Sequence, residues 1–165
     1  MIVYLVGMPG SGKSTVGREL AGRLGVPFID LDDEIEHAAG LEVTEIFEVE
    51  GEAGFRAREA KALVDASTHD PAVIACGGGV VLEPANRITL RSTGTCVFLD
   101  VPIEVLSMRV EPNDDRPLIR AEGDLERLLR EREPLYREFA AHVVDGRGDP
   151  GEVADAIVEE LRWNA

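Results

Sequence analysis

Gly7-Met8-Pro9-Gly10-Ser11-Gly12-Lys13-Ser14-Thr15 follows directly on the apolar run Ile2-Val3-Tyr4-Leu5-Val6. The chain has only two lysines, Lys13 and Lys61, and one of them stands here between a glycine and two hydroxyls. The spacing Gly7-x4-Gly12-Lys13-Ser14 is that of a phosphate-binding loop, in which backbone N–H groups cradle the phosphates, the lysine reaches the outer ones and the hydroxyl ligates Mg²⁺. Such a loop has to join a strand to a helix. The β-branched run before it reads as the strand, and Val16, Leu20 and Leu24 recur every fourth position after it. Gly10, Ser11, Gly12, Lys13, Ser14 and Thr15 are therefore the candidate nucleotide-binding residues, with Ser14 also a candidate metal ligand.

Further along, four more short apolar segments at 27–31, 72–76, 96–100 and 142–145 read as strands, and stretches of helical spacing such as Val153, Ile157 and Leu161 lie between or after them. Near-continuous apolar strands alternating with helices predict a five-stranded parallel sheet with helices on both faces, whose ligands gather at the carboxyl ends of the strands. The residues at the strand ends agree with that expectation. The phosphate loop comes after the first strand, Asp30-Leu31-Asp32-Asp33-Glu34 lies at the end of the second, and Gly77-Gly78-Gly79 comes after the third. After the fourth, a helix over about 102–109 leads into a charged, proline-containing stretch at 111–123 that reads as a lid loop.

Asp30 and Asp32, two apart, fall on one side of a strand end, and a kinase needs one carboxylate near Mg²⁺ and another beside the accepting hydroxyl. Asp33 and Glu34 read instead as acids favouring the start of a helix. The triple glycine lets a backbone come close to a ligand, or makes a plain turn. Pattern alone makes Arg56 a solvated helix charge and places Arg127, Arg130, Arg132 and Arg137, interleaved with glutamates, on a salt-bridged helix face.

With 165 residues, 44% of them apolar, the chain is sized for one soluble domain over 1–165. A formal net charge of −15 argues against nucleic acid or an anionic membrane as partner. No apolar run reaches the length of a membrane span, so a cytoplasmic protein is expected. Cys76 and Cys96 lie within apolar runs without metal-ligand spacing and read as small buried residues, and the three histidines are isolated. No helix zipper is visible, and a monomer is the simpler reading. If the substrate is an anion, an acidic protein must gather its cations locally. Fifteen of its 17 basic residues are arginines, suited to bidentate grip on carboxylate and phosphate.

The loop at Gly7–Thr15, "DLD" from Asp30, "IFEVEGEAGFRARE" from Ile46, "GGGVV" from Gly77, "DRPLIR" from Asp115 and "REREPLY" from Arg130, in that order, resemble shikimate kinase over about 2–144. The resemblance implies a nucleoside monophosphate kinase-like P-loop fold, with a substrate-binding helical part at about 32–61. It also implies transfer of the γ-phosphate of ATP to the 3-hydroxyl of shikimate. Lys13 would hold the phosphates, Ser14 would ligate Mg²⁺, and Asp30 would support the metal through water. Asp32 would bind the shikimate hydroxyls and act as base or orienter, Arg56 and Arg132 would clamp the carboxylate, and Gly78 and Gly79 would offer backbone donors. Arg116 would reach the transferring phosphate, and Arg109 would lie against the adenine. Lys13, Arg56, Arg116, Arg132 and Mg²⁺ would then form one cationic pocket in an acidic protein.

Two features depart from the family pattern. Cys76 precedes the triple glycine, and the stretch from Asp145 to Pro150 matches the adenine-side loop only loosely, which leaves Arg147 without a clear nucleotide role. A kinase of another small hydroxy acid such as gluconate would share the phosphate loop and carboxylates, but gives no reason for Arg56, the triple glycine and Arg132 to occur together. A non-catalytic nucleotide-binding module would be favoured by loss of Asp32 or Arg116, and both are present.

Overall fold

A computed structural model describes residues 1–110 and 116–163. Five strands, β1 (Ile2–Val6), β2 (Phe28–Asp30), β3 (Ala72–Ala75), β4 (Gly94–Asp100) and β5 (His142–Asp145), form one sheet in the order β2-β3-β1-β4-β5. Every neighbouring pair is parallel. The helices are α1 (Lys13–Leu24), α2 (Leu31–Ala39), α3 (Val43–Ala66), α4 (Pro84–Thr93), α5 (Ile103–Arg109), α6 (Asp124–Phe139) and α7 (Pro150–Trp163). All five expected strands are present. The boundaries differ where the pattern was weakest: the second strand is three residues long, and the fourth starts two residues earlier than its apolar run.

Strand β1 occupies the centre, and its alternation divides the core in two. Ile2, Tyr4 and Val6 face one side with Leu63, Leu90, Leu106, Leu128 and Tyr136, while Val3 and Leu5 face the other with Val16, Leu20, Val153 and Ile157. All five β1 residues are buried, as a strand covered on both faces requires. A third, smaller cluster of Ile35, Ile46 and Phe55 joins α2 to α3. Helix α3 is broken at Gly51, and Arg58 spans the break to reach both carboxylate oxygens of Glu50 at 2.7 and 3.0 Å.

β1 lies where the chain order changes direction, with β3 on one side and β4 on the other, the position at which doubly wound sheets bind their ligands. The loop leaving β1 is therefore set at the middle of the carboxyl edge. Gly10 and Gly12, at φ +83° and +93°, supply the left-handed turns that curl this loop into the N-terminus of α1. Among the described residues no helix is long and apolar enough to cross a membrane.

Candidate active site

The carboxyl edge of the sheet opens into a cleft of about 610 Å³. Every candidate residue named from the sequence lines it: the loop from Gly10 to Thr15, Asp30, Asp32, Arg56, Gly78, Gly79, Arg109, Arg116 and Arg132. The charged lining comprises Lys13, Arg56, Arg109, Arg116 and Arg132 against Asp30, Asp32 and Glu59. Five cations face three carboxylates, so a protein of net charge −15 holds a positive cleft, though one less purely cationic than the sequence implied. Of the expected lid, residues 111–115 lie outside the described residues, while Arg116, Pro117, Leu118 and Ile119 line the cleft.

At the phosphate loop, Lys13 Nζ donates to the carbonyls of Gly7 and Met8 at 2.8 and 2.9 Å. Burial lowers its pKa to about 8, against the pull of nearby Asp32. Ser14 Oγ donates to Asp30 Oδ2 at 2.5 Å, which ties the loop to the end of β2. Asp30 also caps α2, its Oδ1 accepting from the Asp32 N–H at 3.0 Å. This corrects the basis of one expectation. The second strand ends at Asp30 and Asp32 belongs to the first turn of α2, so the cap, and not strand alternation, brings the two carboxylates to the same cleft. Asp33 and Glu34 are exposed in that first turn, where acids favour a helix start.

The Ser14 and Asp30 oxygens fit a hard divalent cation. No group of three or more His, Cys, Asp or Glu side chains among the described residues is arranged to hold a metal by itself. That donor set suits Mg²⁺, which keeps most of its shell as water and substrate phosphate.

On the far side of the cleft stand Arg56 and Arg132, and here pattern reading fails. Arg132 is only 3% exposed and Arg56 only 11% at its side chain, so neither is a solvated helix charge. Arg127 and Arg137 do pair along α6, with Asp124 and Glu133 respectively. Arg56 Nη1 donates to Glu59 Oε1 at 2.9 Å, and Glu59 is completely buried. The triple glycine gives these groups room. A Cβ on Gly79 would fall 2.3 Å from Arg56 Nη1, one on Gly78 3.0 Å from Arg132 Nη1, and one on Gly77 2.7 Å from Glu59 Oε2. A plain turn needs no such clearance.

Buried polar atoms without a partner mark the same place. Among the described residues they are Ser11 Oγ, Asp32 Oδ1, Arg56 Nε, Glu59 Oε2 and Arg132 Nε. Unsatisfied buried groups of this kind are rare in native proteins, and a catalytic role or a bound ion is among the reasons for them. Burial first, then the charges of Asp30 and Glu59, raises the Asp32 carboxyl to about 6. Burial also raises Glu59, opposed by Arg56.

On the nucleotide side, the Arg109 guanidinium donates to the carbonyls of Gly10, Gly146 and Arg147 and so ties the phosphate loop to the turn after β5. Arg147 contributes that carbonyl, while its side chain pairs with Asp145 in solvent, outside the cleft lining. Cys76 lines the cleft floor as a buried free thiol whose pKa burial raises well above the ordinary range. Cys96, also buried, is pushed up to about 12.

Two groups at the site escaped sequence reading, Glu59 and Tyr136. Glu59 sits one helical turn after Arg56 and could have been found as its partner, but glutamate is so common on this chain that the pairing carried no signal. The Tyr136 hydroxyl donates to the Gly78 carbonyl across 58 residues of sequence, a link no local pattern announces.

Comparisons with known proteins converge on one family. A family model described as Shikimate kinase matches residues 9–162. A shikimate kinase of Aromatoleum aromaticum is 53% identical over 98% of this chain and 95% of its own length. Among solved structures, the shikimate kinase of Acinetobacter baumannii in complex with shikimate superposes with a TM-score of 0.95 at 40% identity, covering 99% of this chain and 93% of that one. The enzyme of Aquifex aeolicus gives 0.90 at 39% identity, covering 99% and 98%. The backbone is thus shared almost end to end with these solved enzymes at 39–40% identity, and the chain belongs to the shikimate kinase family.

Proposed function

We propose that this chain transfers the γ-phosphate of ATP to the 3-hydroxyl of shikimate, giving shikimate 3-phosphate and ADP on the route to chorismate and the aromatic amino acids. The observation that carries the acceptor half is the pair of buried arginines, Arg56 and Arg132, each with an unpartnered Nε beside the triple glycine. Two guanidinium forks around a shared backbone form the natural grip for a planar carboxylate.

The backbone of Gly10 to Thr15 cradles the nucleotide phosphates, and Lys13 exchanges its two carbonyl acceptors for phosphate oxygens. Ser14, with Asp30 behind it, would hold Mg²⁺, which neutralises charge on the phosphates when bound. Arg109 walls the adenine end, and Arg116 faces the transferring group. At the acceptor, Arg56, Arg132, Gly78 and Gly79 fix the carboxylate, which leaves the ring hydroxyls to Asp32. Asp32 takes the proton that the 3-hydroxyl gives up as its oxygen bonds to phosphorus and ADP leaves. A carboxyl near 6 is ionised at neutral pH yet basic enough to accept it. The rate comes from alignment and charge neutralisation in a site that keeps water from the phosphoryl group.

We read the enzyme as a monomer, since one chain supplies all of these residues. Its two buried free thiols and its ATP requirement suit the reducing cytoplasm. Incubation with MgATP and shikimate, then phosphorus NMR of the product, tests the proposal: one phosphate ester on O3 is expected. ADP formation that shikimate does not stimulate would refute it.

A further inference from the structure

Arg132 and Tyr136 stand four residues apart on α6 and so share a face of that helix. Arg132 lines the cleft; Tyr136 does not, and its ring is fully buried behind the wall, stacked on Phe98 of β4 with centroids 5.1 Å apart. From there its hydroxyl donates to the carbonyl oxygen of Gly78. The Gly78–Gly79 peptide is trans, so the Gly78 C=O and the Gly79 N–H lie in one plane and point in opposite directions. A hydroxyl that holds the carbonyl on the buried side therefore aims the N–H toward the cleft. Among the described residues that N–H, like that of Gly78, makes no hydrogen bond. The same peptide lies between the two cations, with Gly79 against the Arg56 guanidinium and Gly78 against Arg132 Nη1.

A peptide flanked by glycines has no side chain to resist rotation, and a half-turn would face the carbonyl oxygen toward an incoming carboxylate. We propose that Tyr136 is a positioning residue for acceptor recognition: its hydroxyl locks the Gly78–Gly79 peptide so that the Gly79 N–H joins Arg56 and Arg132 in binding the acid. The role rests on the reading of this cleft as the shikimate site. Burial raises the Tyr136 pKa to about 12, against the pull of the neighbouring Arg132, so the hydroxyl remains a proton donor throughout the working pH range.

Tyr136→Phe keeps the ring and its stacking and removes the hydroxyl, which donates to the Gly78 carbonyl and also accepts from the Arg132 side chain. The matching control is Tyr4→Phe, which deletes another buried tyrosine hydroxyl, the one bonded to Thr93 Oγ1 at 2.6 Å, away from the cleft lining. In the full-length enzyme, Tyr136→Phe is expected to raise the KM for shikimate about tenfold while the KM for ATP and kcat stay within about twofold. Tyr4→Phe is expected to lower the melting temperature and leave both KM values in place. An unchanged shikimate KM in Tyr136→Phe overturns the role, as does a parallel rise in both KM values with a lowered melting temperature, the pattern of a purely structural contact. Absence of shikimate-dependent turnover in the wild type would instead remove the acceptor reading itself.

Discussion

The proposed reaction requires an ionised Asp32 in a place that favours its neutral form. Its pKa of about 6, against an ordinary 3.8, means that the folded protein binds this proton more tightly than the unfolded chain does. The ionised carboxyl therefore opposes folding by on the order of 3 kcal/mol above pH 6, and the penalty fades as pH falls through 6 toward 4. Asp32→Asn is expected to lower kcat at least about a hundredfold while raising the melting temperature at pH 7.5. Thermal scans at pH 7.5 and pH 4.5 check the sign, since the gain should shrink at the lower pH. Lys13, with a pKa of about 8, sets the opposite limit. The kcat/KM profile should be bell-shaped with limbs near pH 6 and 8, the acid limb vanishing in Asp32→Asn. Arg56→Ala leaves Glu59 buried and unpaired as well as releasing the substrate carboxylate. It should reduce kcat/KM for shikimate by a hundredfold or more with the KM for ATP little changed, as steady-state kinetics in each substrate would show.

In the proposed reaction the segment Gly77–Gly79, which lines the cleft, makes a stretch of backbone into a binding surface. Gly79→Ala would place a methyl 2.3 Å from Arg56 Nη1 and must push the guanidinium aside. The expected result is a rise in shikimate KM of the same order as that of Arg56→Ala, with a small loss of stability, measurable by kinetics and denaturant unfolding on one preparation. Sequence made part of this visible. The phosphate loop was legible because its glycines, lysine and hydroxyls keep one spacing between a strand and a helix, all within a single local stretch. Arg56 and Arg132 were not legible from pattern, because each sits among glutamates at helical spacing and only tertiary packing buries it. Their roles came from resemblance alone. Asp30 and Asp32 were chosen correctly as cleft residues for an incomplete reason: a three-residue strand ending in a helix cap looks, in sequence, like a longer strand. Tyr136 reaches the site only because α6 packs beside β4, which no local reading contains.

The sheet's class follows from rules that need no side-chain detail: parallel strands, helical crossovers and ligands at the carboxyl ends of the strands, while the strand order is seen only in the structure. That is why the fold was readable from five apolar runs. The core below the site carries stability more than specificity. Ile157 of α7 is fully buried against α1 and the sheet, on the face opposite Arg132 and Tyr136. Ile157→Ala should cost about 2–5 kcal/mol in urea unfolding and leave both KM values unchanged at assay temperature. Charge is distributed to the same end, since a chain of net charge −15 gathers five cations against three carboxylates in this cleft. In the proposed reaction, acceptor binding rests on the carboxylate grip of Arg56 and Arg132. The most direct test is ADP release from MgATP with shikimate, with gluconate and with no acceptor, in the wild type and in Arg56→Ala. Stimulation by shikimate alone, lost in the variant, is the predicted result. Stimulation by gluconate, or a shikimate response that survives the substitution, would contradict the assignment of the acceptor site.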